Sequence, residues 1–301
     1  NIRQVLEYHP QILTDDGSDL HVMAHNNKNQ GILGGTEETT SGITRLKALE
    51  VQGKLRYPVI GVNEARTKHL FDNQYGTGQS TLTGIIRLTN VLIAGKHLVV
   101  CGYGNVGRGV AARARGLGAI VTVVEVDPLK ALEAYMEGYN VKKISQVVEN
   151  ADIFITCTGQ KNVIIEKHFK RMKNGAILAN AGHFDNEIEV EKLISNSKEN
   201  YSIRPYLDCY HINGRKIFLL SKGRVVNLVG GEGNPPEVMA MSFANQLLSI
   251  MHIFKNHERM QKKVYPVPEK IDSNVAKLSL KYLGISIDKL SLLQRKYAKS
   301  Y

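Results

Sequence analysis

The chain has 301 residues, which is enough for a large buried core and predicts two domains rather than one. Its formal net charge is +11, from 39 basic and 28 acidic residues, but the lysines are dispersed and tryptophan is absent. No basic run alternates with stacking aromatic residues, so we expect a solvated basic surface and no nucleic-acid partner.

The first 65 residues alternate helical and extended patterns. NIRQVLEYHP predicts a short helix that ends at Pro10, and QILTDD predicts a strand with Asp15 and Asp16 at its carboxyl end. GGTEETTSGITRLKALEVQG predicts a loop followed by a helix, and YPVIGVN predicts another strand. The candidate N-caps of that helix are Thr39, Thr40 and Ser41. These strands are too few for an independent α/β domain, so we expect this segment to be part of a larger lobe.

The next segment, NEARTKHLFDNQYGTGQSTLTGIIRLTNVL, predicts helix with a break near Gly76-Thr77-Gly78. From Lys96 onward strand and helix patterns alternate, which is typical of a parallel sheet wound by crossover helices. KIFLLSKGRVVNLVGG predicts a pair of strands that turns around Lys222-Gly223. VMAMSFANQLLSIMHIFKNH then predicts a long amphipathic helix, and a helical tail follows YPVPEK.

A dinucleotide-binding motif lies between the first strand and helix of this alternating region. Gly102, Gly104 and Gly107 form GxGxxG, in which the glycines permit a tight turn, close approach of pyrophosphate and helix–strand packing. Glu125 ends the next strand, where it can accept hydrogen bonds from ribose hydroxyls. Asp127 follows it and no arginine does, so the motif predicts NAD rather than NADP.

Small and polar residues follow two later strands of the same region. They are Thr156, Cys157, Thr158 and Gly159 in one segment and Asn180, Gly182 and His183 in the other. Because ligands bind outside the carboxyl ends of parallel strands, we expect these residues to face the cofactor.

Lys68 and Asp72 are four residues apart in TKHLFDNQYG and therefore share a helix face. The pair is either a solvated salt bridge or an acid–base pair in a closed pocket, and the spacing does not choose between them. For Asp16 and Glu38, the pattern alone favours turn formation and helix capping.

No apolar run is long enough to span a bilayer, and the amino-terminal sequence lacks the pattern of a signal peptide. The cysteines Cys101, Cys157 and Cys209 are odd in number and not spaced as metal ligands, so we expect reduced thiols and no metal site. Together these features predict a cytoplasmic protein without a membrane partner.

The chain resembles the S-adenosylhomocysteine hydrolase (adenosylhomocysteinase) family over nearly its whole length. The segments that carry the resemblance are DDGSDL, EETTSG, VNEARTKHLFDNQYG, VLIAGK, GYGNVGRG, VEVDP, AGHFD, GRVVNL and SFANQ. A generic dehydrogenase would share only the glycine motif and the acid after it. The resemblance implies a tightly bound NAD that oxidises the 3′-hydroxyl of the substrate ribose, after which homocysteine leaves, water adds and the ketone is reduced again.

The resemblance also implies roles for individual residues, including Asp16 and Glu38. Lys68 assists removal of the 3′-hydroxyl proton, Asp72 orients Lys68 and is a candidate for the C4′ proton, and Asp16 serves the water and leaving-group step. Asn73 and His183 line the reacting ribose and the nicotinamide. Glu38 binds the adenine edge, and Thr39, Thr40 and Ser41 flank the substrate and the nicotinamide. The implied cofactor-binding residues are Gly102, Gly104, Asn105, Val106, Gly107, Glu125, Ser41, Thr156, Thr158, Gly159, Asn180 and Asn227.

Three departures from the family pattern stand out. The family has about a hundred further residues before the start of this sequence, with a histidine and a threonine of the substrate site, so we expect a partial substrate-binding lobe. GNPP replaces the family's GHP, which puts Asn234 where a histidine of the substrate pocket is expected and leaves adenine or hypoxanthine open. The chain stops at Tyr301, as in short-tailed prokaryotic and archaeal members.

The expected architecture is α/β, with a Rossmann-type doubly wound parallel sheet inserted in a second, partial α/β lobe, plus a C-terminal helical tail. The expected segments are residues 1–75 (substrate-binding lobe), 76–232 (NAD-binding domain), 233–264 (return helix) and 265–301 (tail). We expect a homo-oligomer, either a tetramer or a dimer. Two rival functions are a non-catalytic NAD-binding relative and a hydrolase of S-inosylhomocysteine. An ordinary 2-hydroxy acid dehydrogenase would need an arginine near His183, and the sequence has none there.

Overall fold

The computed structural model describes residues 1–27 and 31–300 and contains two β-sheets flanked by helices. Residues 28–30 and Tyr301, which fall in the first and last of the predicted segments, lie outside the described residues. The strands are β1 (Ile12–Asp15), β2 (Gly34–Glu37), β3 (Val59–Gly61), β4 (His97–Cys101), β5 (Ile120–Val124), β6 (Asn140–Val141), β7 (Ile153–Thr156), β8 (Ala176–Asn180), β9 (Glu199–Arg204), β10 (Leu207–Ile212), β11 (Arg215–Leu220) and β12 (Val264–Pro266).

A π-helix, His69–Gly76, lies between two of the α-helices, and short 3₁₀ turns complete the structure. The α-helices are α1 (Ile2–Glu7), α2 (Asp19–Asn26), α3 (Thr40–Val51), α4 (Arg66–Lys68), α5 (Thr77–Thr89), α6 (Asn105–Gly116), α7 (Pro128–Met136), α8 (Ile144–Val147), α9 (Glu166–Phe169), α10 (Val190–Asn196), α11 (Val226–Val229), α12 (Pro236–Asn256), α13 (Glu269–Tyr282) and α14 (Leu292–Tyr297).

The large sheet has the strand order of a dinucleotide-binding domain. Its order is β6-β5-β4-β7-β8-β11-β10-β9, and the first six of these strands are parallel. The chain order of those six strands is that of the doubly wound Rossmann sheet, with β4 central. Strands β10 and β9 extend the sheet as an antiparallel edge. The predicted fold class is confirmed.

The small sheet, β1-β2-β3-β12, is parallel throughout and shows that the large sheet is an insertion. Its first three strands precede the large sheet in the chain, and β12 follows it, so the chain leaves the small sheet after β3 and returns through α12. We call the two parts the small lobe and the large lobe. The predicted residue limits of the domains stay a prediction.

Alternate residues of the central strands enter two separate hydrophobic cores. Leu98 and Val100 of β4 point to one face of the large sheet, whereas Val99 joins Phe154 and Phe169 on the other face. Each side chain is almost completely buried. Burial of each contributes about 1.5–3 kcal/mol, which fixes the strand register and hence the position of the glycine turn at the strand end.

Two local predictions were wrong. GGTE, predicted as a loop, forms β2, because Gly34 and Gly35 bring the strand against Ile253 and His21, where a Cβ would collide. The segment around Lys222 is not a strand pair. The hairpin is β10–β11, which turns at Asn213-Gly214, and VVNLVGG continues into the short helix α11.

The return helix α12 carries its polar residues inward. Ser242, Asn245, Gln246 and Ser249 are buried at helical spacing, while Phe243, Leu247, Met251 and Phe254 are 45–62% exposed. The predicted amphipathic helix is present, but its apolar stripe faces outward. Within residues 1–27 and 31–300, no helix combines the length and the apolar composition needed to cross a bilayer.

Candidate active site

Lys68 lies at the centre of a buried polar cluster between the lobes. Only 3% of the residue is exposed. Its Nζ is 2.7 Å from Oδ2 of Asp72 and 3.3 Å from Oε1 of Glu38, and it donates hydrogen bonds to Oδ1 of Asn63 and Oδ1 of Asn73. The structure therefore excludes the solvated salt bridge, and the ammonium is surrounded by four oxygen atoms.

The π-helix explains why Lys68 contacts both Asp72 and Asn73. A π-helix has i→i+5 hydrogen bonds and a wider turn than an α-helix, so residues four and five positions on lie on one side. The predicted regular helix would favour only the i,i+4 contact with Asp72. π-Helical turns occur frequently at functional sites, which agrees with the placement of this cluster.

Asn63 joins the cluster but was missed from the sequence. Its Oδ1 accepts from Lys68 Nζ at 3.0 Å and from Asn73 Nδ2 at 2.9 Å, and its Nδ2 donates to Oγ1 of Thr40 at 2.7 Å. Asn63 directly follows the strand pattern YPVIGV, so the rule that ligands gather at carboxyl strand ends would have identified it.

Glu38 is held by the inward polar stripe of α12. Ser242 Oγ donates to its Oε1 at 2.9 Å and Gln246 Nε2 donates to its Oε2 at 2.8 Å. Gln246 also accepts a hydrogen bond from Thr36 of β2. These contacts link β2, α12 and Lys68. The polar residues inside the apolar helix pattern, in SFANQ, are the sequence feature that indicates this buried polar face.

The TEETTS segment places its hydroxyl groups around the same cluster. Thr39 is the N-cap of α3, where its Oγ1 accepts from the backbone N–H of Gly42 and donates to Glu37. Ser41 Oγ donates to Oγ1 of Thr39 at 3.3 Å. The capping prediction for Thr39 is confirmed. Besides Glu38, Thr40 reaches the Lys68 cluster, because its hydroxyl accepts a hydrogen bond from Asn63.

Asp16 and His183 come together from different lobes. His183 Nδ1 is 3.9 Å from Oδ1 of Asp16, and Gly17 lies directly against the imidazole ring. His183 also packs edge-on against Phe184, and the guanidinium of Arg45 in the small lobe lies 5.9 Å from the centroid of the Phe184 ring. The two predicted residues thus meet at the contact between lobes.

The glycine turn after β4 leaves room for a phosphate group. Gly102 has φ +101°, and a Cβ on Gly107 would lie 1.9 Å from the carbonyl oxygen of Gly102, so both positions require glycine. A Cβ on Gly104 would meet no protein atom within 4 Å, which leaves the outer side of the turn open. Asn105 and Val106 begin α6, whose free N–H groups favour an anion there.

Glu125 is ordered beside this turn. Its Oε2 accepts from the backbone N–H of Tyr103 and its Oε1 from those of Val126 and Asp127. The carboxylate is therefore fixed next to the glycine motif at the end of β5, as its proposed role toward a ribose requires.

Thr156 and Asn180 belong to a buried network behind the strand ends. Thr156 Oγ1 donates to Oδ1 of Asn180, and Asn180 Nδ2 donates to the carbonyl oxygens of Gly182, Phe184 and Gly223. Both residues are fully buried, so the described contacts position the AGHF segment that carries His183.

Thr158 and Gly159 are held by Glu187, a buried acid that the sequence did not single out. Glu187 accepts hydrogen bonds from both backbone N–H groups and from Oγ1 of Thr158. Burial raises the pKa of the Glu187 carboxyl, while these bonds oppose the increase. Nothing in the pattern DNEIEV distinguishes this acid from a surface residue.

Asn227 presents an unpaired acceptor. Its Nδ2 donates to Oδ1 of Asn234 at 3.1 Å, while its own Oδ1 is buried and has no hydrogen-bond partner. Buried polar atoms without partners are rare, and a bound group that donates a hydrogen bond would satisfy this one. The primary amide of nicotinamide is such a donor, so the residues present fit the predicted cofactor.

A second polar group in the small lobe has another role. Asp15, His21 and Glu37 bring potential metal-ligand atoms within 4.8 Å of one another. Glu37 accepts from Gly17, Ser18 and Thr39, and Asp15 accepts from the backbone of His21. The ring nitrogens of His21 lie at the Tyr57 hydroxyl and the Thr36 carbonyl. These contacts stabilise the turn that carries Asp16.

The comparisons with known proteins agree with this geometry. Residues 73–233 match the model of the S-adenosyl-L-homocysteine hydrolase NAD-binding domain, and NAD is the cofactor of this chain. Adenosylhomocysteinases from Sulfurisphaera tokodaii and Sulfolobus acidocaldarius are 55% and 53% identical in alignments of 303 positions, which cover 100% of this chain and 73% of each relative. An S-inosyl-L-homocysteine hydrolase from Methanocaldococcus jannaschii is 52% identical over 304 residues, again 100% of this chain and 73% of the relative.

Among solved structures, the A chain of dipicolinate synthase from Bacillus subtilis is similar in fold, with a TM-score of 0.52 and 16% identity over 74% of this chain and 66% of that one. At this identity the similarity supports the α/β architecture alone. The family of this chain is shown by the matched NAD-binding domain and by the highly similar relatives. The chain belongs to the S-adenosyl-L-homocysteine hydrolase family.

Proposed function

We propose that the protein hydrolyses S-adenosyl-L-homocysteine to adenosine and homocysteine by transient oxidation of the ribose 3′-hydroxyl. The observation that carries this proposal is the burial of Lys68 among Asp72, Asn73, Asn63 and Glu38 at the junction of the two lobes. An ordinary dehydrogenase of a small acid does not need this cluster.

Lys68 and Asp72 form the proposed proton-transfer pair. Oxidation of an alcohol removes the hydroxyl proton and a hydride from the same carbon, and bound NAD supplies the hydride acceptor and later returns the hydride. Lys68 acts as the neutral amine when it takes the 3′-hydroxyl proton, and the Asp72 carboxylate, 2.7 Å from Nζ, orients Lys68 and stabilises the ammonium that forms. Asn63 and Asn73 hold the ammonium in place through their amide oxygens.

The 3′-ketone makes the next step feasible. It acidifies the C4′ proton, which the Asp72 carboxylate takes. Loss of this proton expels the homocysteine thiolate from C5′ and leaves a double bond between C4′ and C5′. Water adds across that bond, and reduction of the ketone gives adenosine. Asp16 and His183, which meet at the lobe contact, serve the leaving-group and water steps.

Substrate binding falls to the small lobe in this proposal. Glu38, whose carboxylate is held by Ser242 and Gln246, contacts the base. Thr39 and Thr40 flank the ribose. The cofactor would be held by the glycine turn, by Glu125 at its ribose and by Asn227 at its amide, with Ser41 and the segment Thr156–Gly159 beside it.

Release of a thiol tests this function directly. The purified protein, supplied with NAD and S-adenosylhomocysteine, is expected to produce homocysteine, detected with a thiol reagent, and adenosine in equal amounts. If NAD binds but no thiol appears, the protein is instead a non-catalytic relative. If a small 2-hydroxy acid gives net NADH formation, it is a dehydrogenase.

Hydrolysis of S-inosylhomocysteine is the second candidate. It is favoured by the highly similar relative from Methanocaldococcus jannaschii that bears this name. Comparing kcat/KM for the two thioethers separates the candidates, and we expect the adenosyl compound to be preferred.

We also propose a cytoplasmic homo-oligomer, either a dimer or a tetramer. The support for oligomerisation is the outward apolar stripe of α12, formed by Phe243, Leu247, Met251 and Phe254. Contiguous apolar surface of this kind is typical of protein interfaces. Light scattering during size-exclusion chromatography measures the mass, and a monomer at micromolar concentration would contradict the proposal.

A further inference from the structure

Asn234 uses its whole hydrogen-bonding capacity on protein groups. Its Nδ2 donates to Oδ1 of Asp72 at 2.5 Å and to Oγ1 of Thr77 at 3.0 Å. Its Oδ1 accepts from Ser80 Oγ at 2.7 Å and from Asn227 Nδ2 at 3.1 Å. A side-chain amide has two N–H donors and two acceptor lone pairs, so none is left for a substrate base.

The orientation of the Asn234 amide is fixed by chemistry. An ionised carboxylate only accepts hydrogen bonds, so the NH₂ end of Asn234 must face Asp72 and the oxygen must face Ser80 and Asn227. With Oδ1 of Asp72 occupied by Asn234, its other oxygen, Oδ2, is the one that meets Lys68 at 2.7 Å. Asn234 thereby sets which carboxylate oxygen serves the lysine.

The other side of Asn234 sets the orientation of Asn227. The Oδ1 atom of Asn234 accepts a hydrogen bond from the NH₂ group of Asn227, so the buried Oδ1 of Asn227 remains a free acceptor. If the Asn227 amide turned over, two oxygens would face each other and its free group would become a donor. The acceptor that suits the nicotinamide amide therefore depends on residue 234.

We propose that Asn234 is a positioning residue that connects the two halves of the reaction centre by holding Asp72 against Lys68 and holding Asn227 ready for the nicotinamide amide. This inference rests on the proposed function for Asp72 and on the NAD site for Asn227. It differs from the sequence-based assignment, which placed Asn234 against the substrate base. If Asn234 bound the substrate base, its substitution would change KM and the preference for one base over another. If Asn234 is a positioning residue, its substitution changes the rate at saturating substrate and the retention of NAD.

The experiment compares the holoprotein with Asn234→Ala, Asn234→Asp and Asn234→His. The matched control is Asn174→Asp, which makes the same change of charge at an exposed loop before β8, at the opposite end of the large sheet. Two quantities are measured for each protein. The first is the rate of cofactor reduction on mixing with adenosine, from the near-ultraviolet absorbance of reduced nicotinamide, as a function of adenosine concentration. The second is the rate at which bound NAD exchanges with isotopically labelled NAD.

We expect Asn234→Ala and Asn234→Asp to slow cofactor reduction at saturating adenosine by about 10²-fold, because a displaced catalytic group loses that much rate. The adenosine concentration for half-maximal rate should stay within about twofold. NAD exchange should accelerate about tenfold in Asn234→Ala, since loss of a hydrogen bond of this kind weakens binding by about that factor. Asn234→His keeps an N–H donor for Asp72, so it should recover most of the reduction rate, and Asn174→Asp should behave like the wild type.

Circular dichroism and thermal unfolding identify any variant that fails to fold. If Asn234→Ala does not fold, the nearly isosteric Asn234→Asp decides the question by its maximal rate of cofactor reduction and its half-saturating adenosine concentration. A higher half-saturating adenosine concentration with an unchanged maximal rate and unchanged NAD exchange would assign Asn234 to the base and overturn the proposal. Wild-type rates and exchange in all Asn234 variants would overturn it too. If the wild type itself does not reduce its cofactor with adenosine, the proposed function fails, and NAD exchange still shows whether Asn234 positions Asn227.

Discussion

Gly17 of the small lobe lies directly against the imidazole of His183 of the large lobe. A Cβ on residue 17 would be 2.4 Å from Nε2 of His183, and φ at Gly17 is +93°. The lobes can approach at this point only because residue 17 has no side chain. The contact also places Asp16, the neighbouring residue, 3.9 Å from the same imidazole.

Replacing Gly17 by alanine should therefore separate the lobes at this contact. We expect Gly17→Ala to reduce kcat for thioether hydrolysis at least about tenfold, because the Asp16–His183 geometry depends on the approach. Gly53→Ala is the matched control, since Gly53 also has a positive φ, +65°, but a Cβ there would meet no atom within 4 Å. The control should lose about 1 kcal/mol of stability and keep its kcat. Equal losses of kcat in the two variants would show that backbone strain alone is responsible.

Gln246 should matter for stability as much as for catalysis. It donates to Glu38 and accepts from Thr36, and both partners are buried. Gln246→Leu leaves a carboxylate oxygen and a hydroxyl without these partners, so we expect the free energy of unfolding to fall by about 1–3 kcal/mol. Urea titration measures the change, and Gln261→Leu, at an exposed position, should change it by less than about 0.5 kcal/mol. A Gln246→Leu protein as stable as the wild type would mean that Glu38 and Thr36 do not depend on Gln246.

The buried imidazole of His21 should make stability depend on pH. Burial lowers the pKa of His21 from 6.5 to about 4. As the pH falls through this window, the unfolded chain binds a proton that the folded protein does not, so the free energy of unfolding decreases by up to about 1.4 kcal/mol per pH unit. The stability advantage of the wild type over His21→Gln should therefore be largest above pH 6.5 and shrink toward pH 4.

His168 provides a parallel case in the large lobe, since burial also lowers its pKa to about 4. The difference in the free energy of unfolding between the wild type and His168→Gln, measured by urea unfolding at several pH values, should also be largest above pH 6.5 and shrink toward pH 4. A constant difference between wild type and His21→Gln across the window would refute the burial argument for His21.

The sequence was a good guide where one local pattern determines the structure. GYGNVGRG, with an apolar strand before it and Glu125 after it, correctly predicted the tight glycine turn and the central strand, because the turn and the helix–strand packing each require a glycine. The four-residue spacing of Lys68 and Asp72 predicted their contact correctly. It did not predict burial, which depends on elements far away in the chain.

The features that escaped prediction depend on long-range packing. Gly34 and Gly35 look like a loop, yet β2 needs them because Ile253 and His21 occupy the space of their side chains. The π-helix has no local signature, so the contact of Lys68 with Asn73 was not foreseen. Gln246 reaches Glu38 across more than two hundred residues of sequence, and only the assembled fold brings the two together.

Lys68 is the proposed acceptor of the proton of the substrate hydroxyl, and cofactor reduction in the Lys68→Ala protein tests this role most directly. Lys47→Ala is the control, because Lys47 forms an exposed pair with Glu64. With adenosine added to the NAD-loaded proteins, we predict that Lys68→Ala retains NAD but forms reduced nicotinamide at least about 10²-fold more slowly than the wild type, and that Lys47→Ala is unchanged. Reduction at the wild-type rate in folded, NAD-loaded Lys68→Ala would contradict the account.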